Sequence, residues 1–198
     1  MQSLAIFDFD GTISKKDSLK EFLKIHFGFK NYFIGYYLIN IPHLILLYLG
    51  VIDFSILKKR RIKHFMKNLD MNKINDSLEI FNKVFFKSEI KKEAIKEIEY
   101  HKENNHKIII LSASLDFLLY EWCQKNNFSL ICSKLEIIDN KFSGSLLGND
   151  CNGKEKVRRL KSLVNLNEFH IIYGYGDTKE DKDFLKLVDK PYFRKFKY

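Results

Sequence analysis

The chain has 198 residues, 45% of them hydrophobic and 30% charged, with a formal net charge of +9 at pH 7. Roughly 70% of the unfolded surface can be buried at that length, and the balance is that of a globular chain, which excludes a disordered or collagen-like one. Three cysteines, Cys123, Cys132 and Cys151, are odd in number and lack metal-ligand spacing, which argues against a disulfide framework or a zinc site and for a reducing, cytoplasmic setting. The N-terminus has no basic segment and too short an apolar run for a signal peptide. Much of the positive excess is lysine beside glutamate, as in Lys91-Lys92-Glu93 and Lys96-Glu97, the pattern of a solvated helix face. With no finger spacing, basic zipper or RNA-binding aromatic motif, the expectation is no nucleic-acid partner. An anionic substrate or an anionic membrane surface stays compatible with the charge.

Leu4 to Phe9 is a short apolar run that stops at Asp10-Gly11-Thr12 and reads as a buried parallel strand ending in a loop. From about residue 14 to 86 the pattern is helical, with no convincing strand. A further helix is expected from about 88 to 105, opening at Ser88. Lys107 to Leu111 reads as a second buried strand running into Ser112-Ala113-Ser114. Leu115 to Asn127 reads as helix, Phe128 to Cys132 as strand, and Lys134 to Leu147 as a hairpin around Asp139-Asn140. Lys154 to Val164 reads as helix and Phe169 to Tyr173 as strand, with Gly174 to Thr178 as its loop and a helix from near Glu180. Strands alternating with helices predict an α/β, Rossmann-like core with a mostly parallel sheet. The expected division is a core of residues 1–13 and 87–198, with an all-helical cap over 14–86 placed above the strand ends, where such sheets bind ligands.

Tyr32 to Ile52 carries no Lys, Arg, Asp or Glu, over about the twenty residues that span a bilayer. A single crossing would put Asp8 on one side of the membrane and Ser112, Lys156 and Asp177 on the other. Pro42 is expected to break or kink the helix, leaving two short apolar helices packed within the cap, or a hairpin resting on a membrane face. The basic, aromatic ending Tyr192 to Tyr198 reads as a last edge strand or a membrane-interface tail.

Three loops that follow apolar strands carry groups suited to phosphoryl transfer. Asp8 and Asp10 are spaced so that both point to one site in an extended chain. Two carboxylates that close repel unless a cation lies between them, and Mg²⁺, with its preference for oxygen ligands, is the natural one. Ser112, with the amide of Ala113 behind it, can hold phosphate oxygens ahead of a helix N-terminus. Lys154 and Lys156 offer a cation, and Asp177 and Asp181 bring two more acids, one to bind metal and one to support it.

Taken in order, Asp8-Phe9-Asp10-Gly11-Thr12, Ser112 after Ile108-Ile109-Ile110-Leu111, Gly153-Lys154-Glu155-Lys156-Val157 and Gly176-Asp177-Thr178 with Asp181 resemble the four motifs of the haloacid dehalogenase superfamily. The cap directly after the first motif is similar to that of the phosphoserine-phosphatase-like branch, and the third motif there favours Lys156 over Lys154. The resemblance implies a Mg²⁺-dependent phosphomonoesterase working through an aspartyl-phosphate. Asp8 would be nucleophile and Asp10 general acid and base. Asp8, the Asp10 carbonyl and Asp177 would hold the metal, Ser112, Ala113 and Lys156 the phosphoryl group, and Thr12 and Asp181 would support the site. Asp17, Arg60 and Arg61 stand where this branch recognises substrate. The apolar cap is also similar to hydrolases of the same branch that act on lipid phosphates such as phosphatidylglycerophosphate. The substrate expectation is therefore a small or amphiphilic phosphomonoester, phosphoserine and a lipid phosphate being the alternatives, with peripheral membrane contact through the cap. Phosphoryl transfer to an alcohol, and an idle membrane-bound scaffold, are the competing readings; intact acidic and lysine positions speak against the second.

Overall fold

The computed structural model describes residues 2–197. Strand β1 (Leu4–Phe7) is followed by four helices: α1 (Ser18–Tyr36), α2 (Ile41–Tyr48), α3 (Phe54–Met66) and α4 (Asn75–Ser88). Helix α5 (Lys92–Glu103) leads into β2 (Lys107–Leu115), α6 (Asp116–Asn126) and β3 (Ser129–Ser133). The hairpin β4 (Leu135–Ile138) and β5 (Lys141–Leu146) precedes α7 (Lys154–Leu163), β6 (Ile172–Gly176), the short α8 (Lys182–Leu185) and β7 (Lys190–Phe193).

The main sheet has five parallel strands in the order β3-β2-β1-β6-β7. Strand alternation divides its apolar residues between two cores. Ala5, Phe7, Ile108 and Ile110 face one, while Leu4, Ile6, Ile109 and Leu111 face the other. A strand covered on both faces must be apolar throughout, which is why β1 and the start of β2 read as unbroken hydrophobic runs. The order reverses between β1 and β6, and the crevice beyond that switch point is where open α/β sheets carry their ligands.

The stretch expected to be helical carries α1 to α4, inserted between β1 and α5. Its joint to the core is aromatic: Phe9, fully buried, lies 6.3 Å from Phe85, 6.1 Å from Phe86 and 5.5 Å from Trp122 between ring centroids. The two connecting segments are tied to each other by Lys15 N donating to Glu89 O at 2.8 Å and Lys91 N to Ile13 O at 2.9 Å. At the far end the hairpin is stitched to the cap. Asn68 N donates to Phe142 O at 2.8 Å, and Phe142 N donates to Leu69 O at 3.0 Å. The hairpin turns through Asp139 and Asn140, at φ 49° and 60°, the left-handed pair of a type I′ turn.

Several boundaries differ from the expectations. Ser88 closes α4, its hydroxyl donating to Val84 O, and α5 begins only at Lys92. Strand β6 starts three residues later than expected and runs through Gly176, where a Cβ would lie 2.6 Å from Asp181 Cβ; the glycine serves close packing rather than a loop. Helix α1 is interrupted at Gly28, at φ 76° and ψ 154°, and the apolar stretch from Tyr32 to Ile52 is itself broken over residues 37–40. Pro42 lies in the first turn of α2, where its missing N–H is harmless, so it starts a helix rather than kinking one. No α2 residue is buried, so that helix lies on the outside of the cap rather than packed within it. Among the described residues no helix is long and apolar enough to cross a membrane. The chain's ending takes the edge-strand role: β7 pairs with β6, and Tyr192 and Phe196 stack on Tyr175. Tyr198 lies outside the described residues.

Candidate active site

Phe9 faces its aromatic cluster, so Asp8 and Asp10 on either side of it point the other way, into a cavity of about 460 Å³ beyond the strand ends. Ser112, Ala113 and Ser114 line the same cavity from β2, and Lys156 enters it from the first turn of α7. Lys156 is 2% exposed; its Nζ donates to Asp8 Oδ1 at 2.5 Å and to Asp181 Oδ1 at 2.6 Å. Lys154, two residues earlier, is exposed.

Asp8, Asp177 and Asp181 bring oxygens within 4.8 Å of one another. Asp181 is already committed: besides Lys156 it accepts from Thr178 N at 3.0 Å, Thr178 Oγ1 at 2.8 Å and Asp177 N at 3.2 Å. Burial opposes its charge, but Lys156 and the Thr178 hydrogen bonds together hold the carboxyl below its usual value. Asp177 Oδ1 accepts from Thr12 Oγ1 at 2.8 Å, and its other oxygen approaches Gly11, where a Cβ would lie 2.5 Å from it. Gly11 has φ 89°, a conformation that glycine alone adopts without strain. Asp8 is pushed up to about 6, chiefly by burial, with Lys156 opposing and Asp181 and Asp177 adding to the rise. Three carboxylates face one ammonium here, so the site is short of positive charge. A hard cation between Asp8 and Asp177 fits that donor set.

Asp10 is held differently. Its Oδ1 accepts from Ser18 N at 2.8 Å and its Oδ2 from Ser18 Oγ at 3.1 Å, and Ser18 Oγ is 2.5 Å from Ser114 Oγ. Burial, then the neighbouring Asp17 charge, lifts its carboxyl well above the usual range. A carboxyl so placed is suited to carrying a proton to or from an oxygen in the cavity. Ser112, 1% exposed, accepts from Ser114 N at 3.0 Å, which fixes its hydroxyl at the cavity floor.

On the cap side, Asp17 caps α1 through Lys20 N at 3.0 Å and lines the cavity. The two arginines separate. Arg61 is 5% exposed and lines the cavity, its guanidinium 3.7 Å from the Tyr36 ring centroid and its Nε donating to Tyr36 O. Arg60 is exposed and lines a different groove. Sequence reasoning missed Lys58, which lines the cavity and donates to Ala113 O at 2.8 Å and Asp150 Oδ1 at 2.6 Å. Its signal was there: Lys58 and Arg61 are three apart on α3 and share a face. Ser18 and Ser114 were missed too, because their pairing joins segments far apart in the chain.

With this geometry the fold and sequence can be placed. The chain belongs to the haloacid dehalogenase-like hydrolases, whose family model matches residues 5–186. It is 27% identical over 196 residues to the protein CicA of Caulobacter vibrioides, an overlap covering 98% of this chain and 86% of that one. Among solved structures, a protein of unknown function from Bordetella pertussis Tohama I is similar with a TM-score of 0.81 and 18% identity, over 96% of this chain and 89% of that one. A substrate-bound phosphoserine phosphatase is similar with a TM-score of 0.68 and 15% identity, over 98% of this chain and 86% of that one. At such identities these structural likenesses speak for the fold.

Proposed function

We propose that the protein is a magnesium-dependent phosphomonoesterase in which residues 14–86 form a cap over a catalytic core of residues 1–13 and 87–198. The observation that carries this reading is Lys156 Nζ lying between Asp8 and Asp181, with Asp177 beside them at the strand switch point. Asp8 attacks phosphorus, the ester bond to the alcohol breaks, and the proton on Asp10 goes to the departing oxygen. Asp10, now ionised, takes a proton from water as that water attacks the aspartyl-phosphate, releasing inorganic phosphate and restoring Asp8. Lys156, the Ser112 hydroxyl and the Ala113 amide hold the phosphoryl oxygens, and positioning with charge neutralisation supplies most of the acceleration. Asp8, the Asp10 carbonyl and Asp177 would hold the magnesium ion, which would supply further positive charge against those oxygens. Thr12 and Asp181 keep Asp177 and Lys156 in place.

The substrate is a small or amphiphilic phosphomonoester. Asp17, Lys58 and Arg61 offer one acid and two cations to its head, and Leu19, Tyr36, Phe54 and Leu115 offer apolar wall to the rest. An amphiphilic substrate would be met at the surface of a membrane by a cytoplasmic, peripherally bound enzyme. A panel of phosphomonoesters, including phosphoserine and lipid phosphates in detergent, assayed with Mg²⁺ tests the proposal. Release of phosphate from none of them by folded, metal-loaded protein refutes it.

A further inference from the structure

An apolar face runs along the outside of the cap. Phe29, Phe33 and Tyr37, four residues apart, pack ring to ring in sequence at 6.3 and 5.5 Å between centroids, and all three are substantially exposed. Beyond the break at 37–40, Ile41 and Ile45 are about half exposed, Leu49 and Val51 about two-thirds, and Tyr48 is 91% exposed. An exposed apolar run of this kind marks a contact surface rather than ordinary scatter. It ends at two openings on α3. Phe54, 53% exposed, is also a wall of the catalytic cavity. Ile56, 46% exposed, is a wall of a second groove of about 480 Å³ between the cap and the hairpin.

That second groove is lined by Lys59, Arg60, Lys63 and His43, with no carboxylate in its wall. The groove therefore asks for an anion, and the adjoining face asks for an apolar medium. An anionic lipid surface supplies both. Pairing of this face with a second copy of the chain would instead set two cationic rims against each other.

We propose that the cap docks on membranes through this face, with an anionic lipid headgroup in the groove of Lys59, Arg60 and Lys63. The mouth of the catalytic cavity then lies at the lipid boundary beside Phe54. This deepens, and rests on, the reading of an amphiphilic substrate: its phosphate enters the cavity while its tail stays on the apolar face.

Co-sedimentation with phosphatidylcholine vesicles, with and without phosphatidylglycerol, tests it, alongside hydrolysis of p-nitrophenyl phosphate in solution. The full chain is expected to sediment with the phosphatidylglycerol vesicles and to be released by salt. Lys59→Ala with Lys63→Ala should weaken that association roughly 25-fold, about fivefold for each cation near an anionic surface. Ile45→Asp with Tyr48→Asp should abolish it. Both variants should keep the soluble hydrolysis, which shows that they fold. Protein that stays in the supernatant, binds neutral and anionic vesicles equally, or forms dimers that Ile45→Asp dissociates would overturn the proposal. Sedimentation without any hydrolysis would support docking while removing the catalytic reading.

Discussion

Replacing Lys156 with methionine removes the cation at the centre of the site with little change of volume. The ammonium is 2.5 Å from Asp8 and 2.6 Å from Asp181, and the side chain is 2% exposed. Without it two buried carboxylates lose their counter-ion. Breaking a buried pair from one side costs roughly 3–5 kcal/mol. At about 2–4 °C per kcal/mol for a chain of this size, the melting temperature should fall by on the order of 10 °C. Burial already opposes the ammonium, and only Asp8 and Asp181 keep it firmly protonated, above its ordinary value. Removing the acid as well, in Lys156→Met with Asp181→Asn, should therefore restore part of the loss through coupling. In catalysis, loss of a preorganised positive group facing the transferring phosphoryl should cost on the order of 10²–10³ in kcat. The exposed Lys154 provides the control: Lys154→Met should change stability by no more than about 0.5 kcal/mol and leave kcat nearly intact. Thermal unfolding and steady-state hydrolysis read both effects. The reasoning fails if Lys154→Met is the more damaging change to kcat, or if Lys156→Met is as stable as the wild type.

Asp8→Asn should abolish turnover with the fold intact, and a tenth of wild-type kcat in a folded variant would sink the nucleophile assignment. Chelation should remove activity, Mg²⁺ should restore it and Ca²⁺ restore it poorly, because calcium takes more ligands at longer distance; full activity in metal-depleted protein would contradict this. Gly11→Ala would put a methyl 2.5 Å from an Asp177 oxygen at φ 89°, so the variant should lose about 1–2 kcal/mol and need more Mg²⁺ for half-maximal rate; unchanged metal dependence refutes the contact's role. His101 is buried against Tyr175 and His106, and burial pushes it down to about 3. Its contribution is present above the unfolded value near 6.5 and is lost as pH falls toward 3, at up to about 1.4 kcal/mol per pH unit. Asp8, raised to about 6, acts in the opposite sense. Denaturant unfolding should therefore be compared between wild type and His101→Gln, and equal pH slopes in the two would refute the prediction.

What the sequence revealed and what it hid follow one physical line. Buried parallel strands announce themselves, because a strand covered on both faces must be apolar, and β1 and β2 were found that way. The motif acids stand at strand ends, where local chemistry is readable. Packing between distant segments is not readable in the same way. Gly176 looks like a loop residue until Asp181 is seen against it. Lys58 looks like one of four cations in a solvated run until Asp150 and the Ala113 carbonyl are brought to it. The composition of α2 gives its apolarity but not its side: a buried and an exposed apolar helix read alike, and only the fold places this one outside.

The ties between hairpin, connecting segments and cap bear on how fast the enzyme can turn over. The helical insertion is fastened near its root by the Lys15–Glu89 and Ile13–Lys91 backbone bonds and at its tip by the Asn68–Phe142 and Leu69–Phe142 bonds. The bonds at the tip must break before the insertion can swing as a lid. Access to Asp8 is then expected from the 49–53 connection that leads into Phe54 on the cavity wall, by loop motion on the nanosecond-to-microsecond scale. For the proposed phosphomonoesterase, a doorway that opens by one loop would admit a slender head with a trailing chain and turn away a bulky folded phosphoprotein.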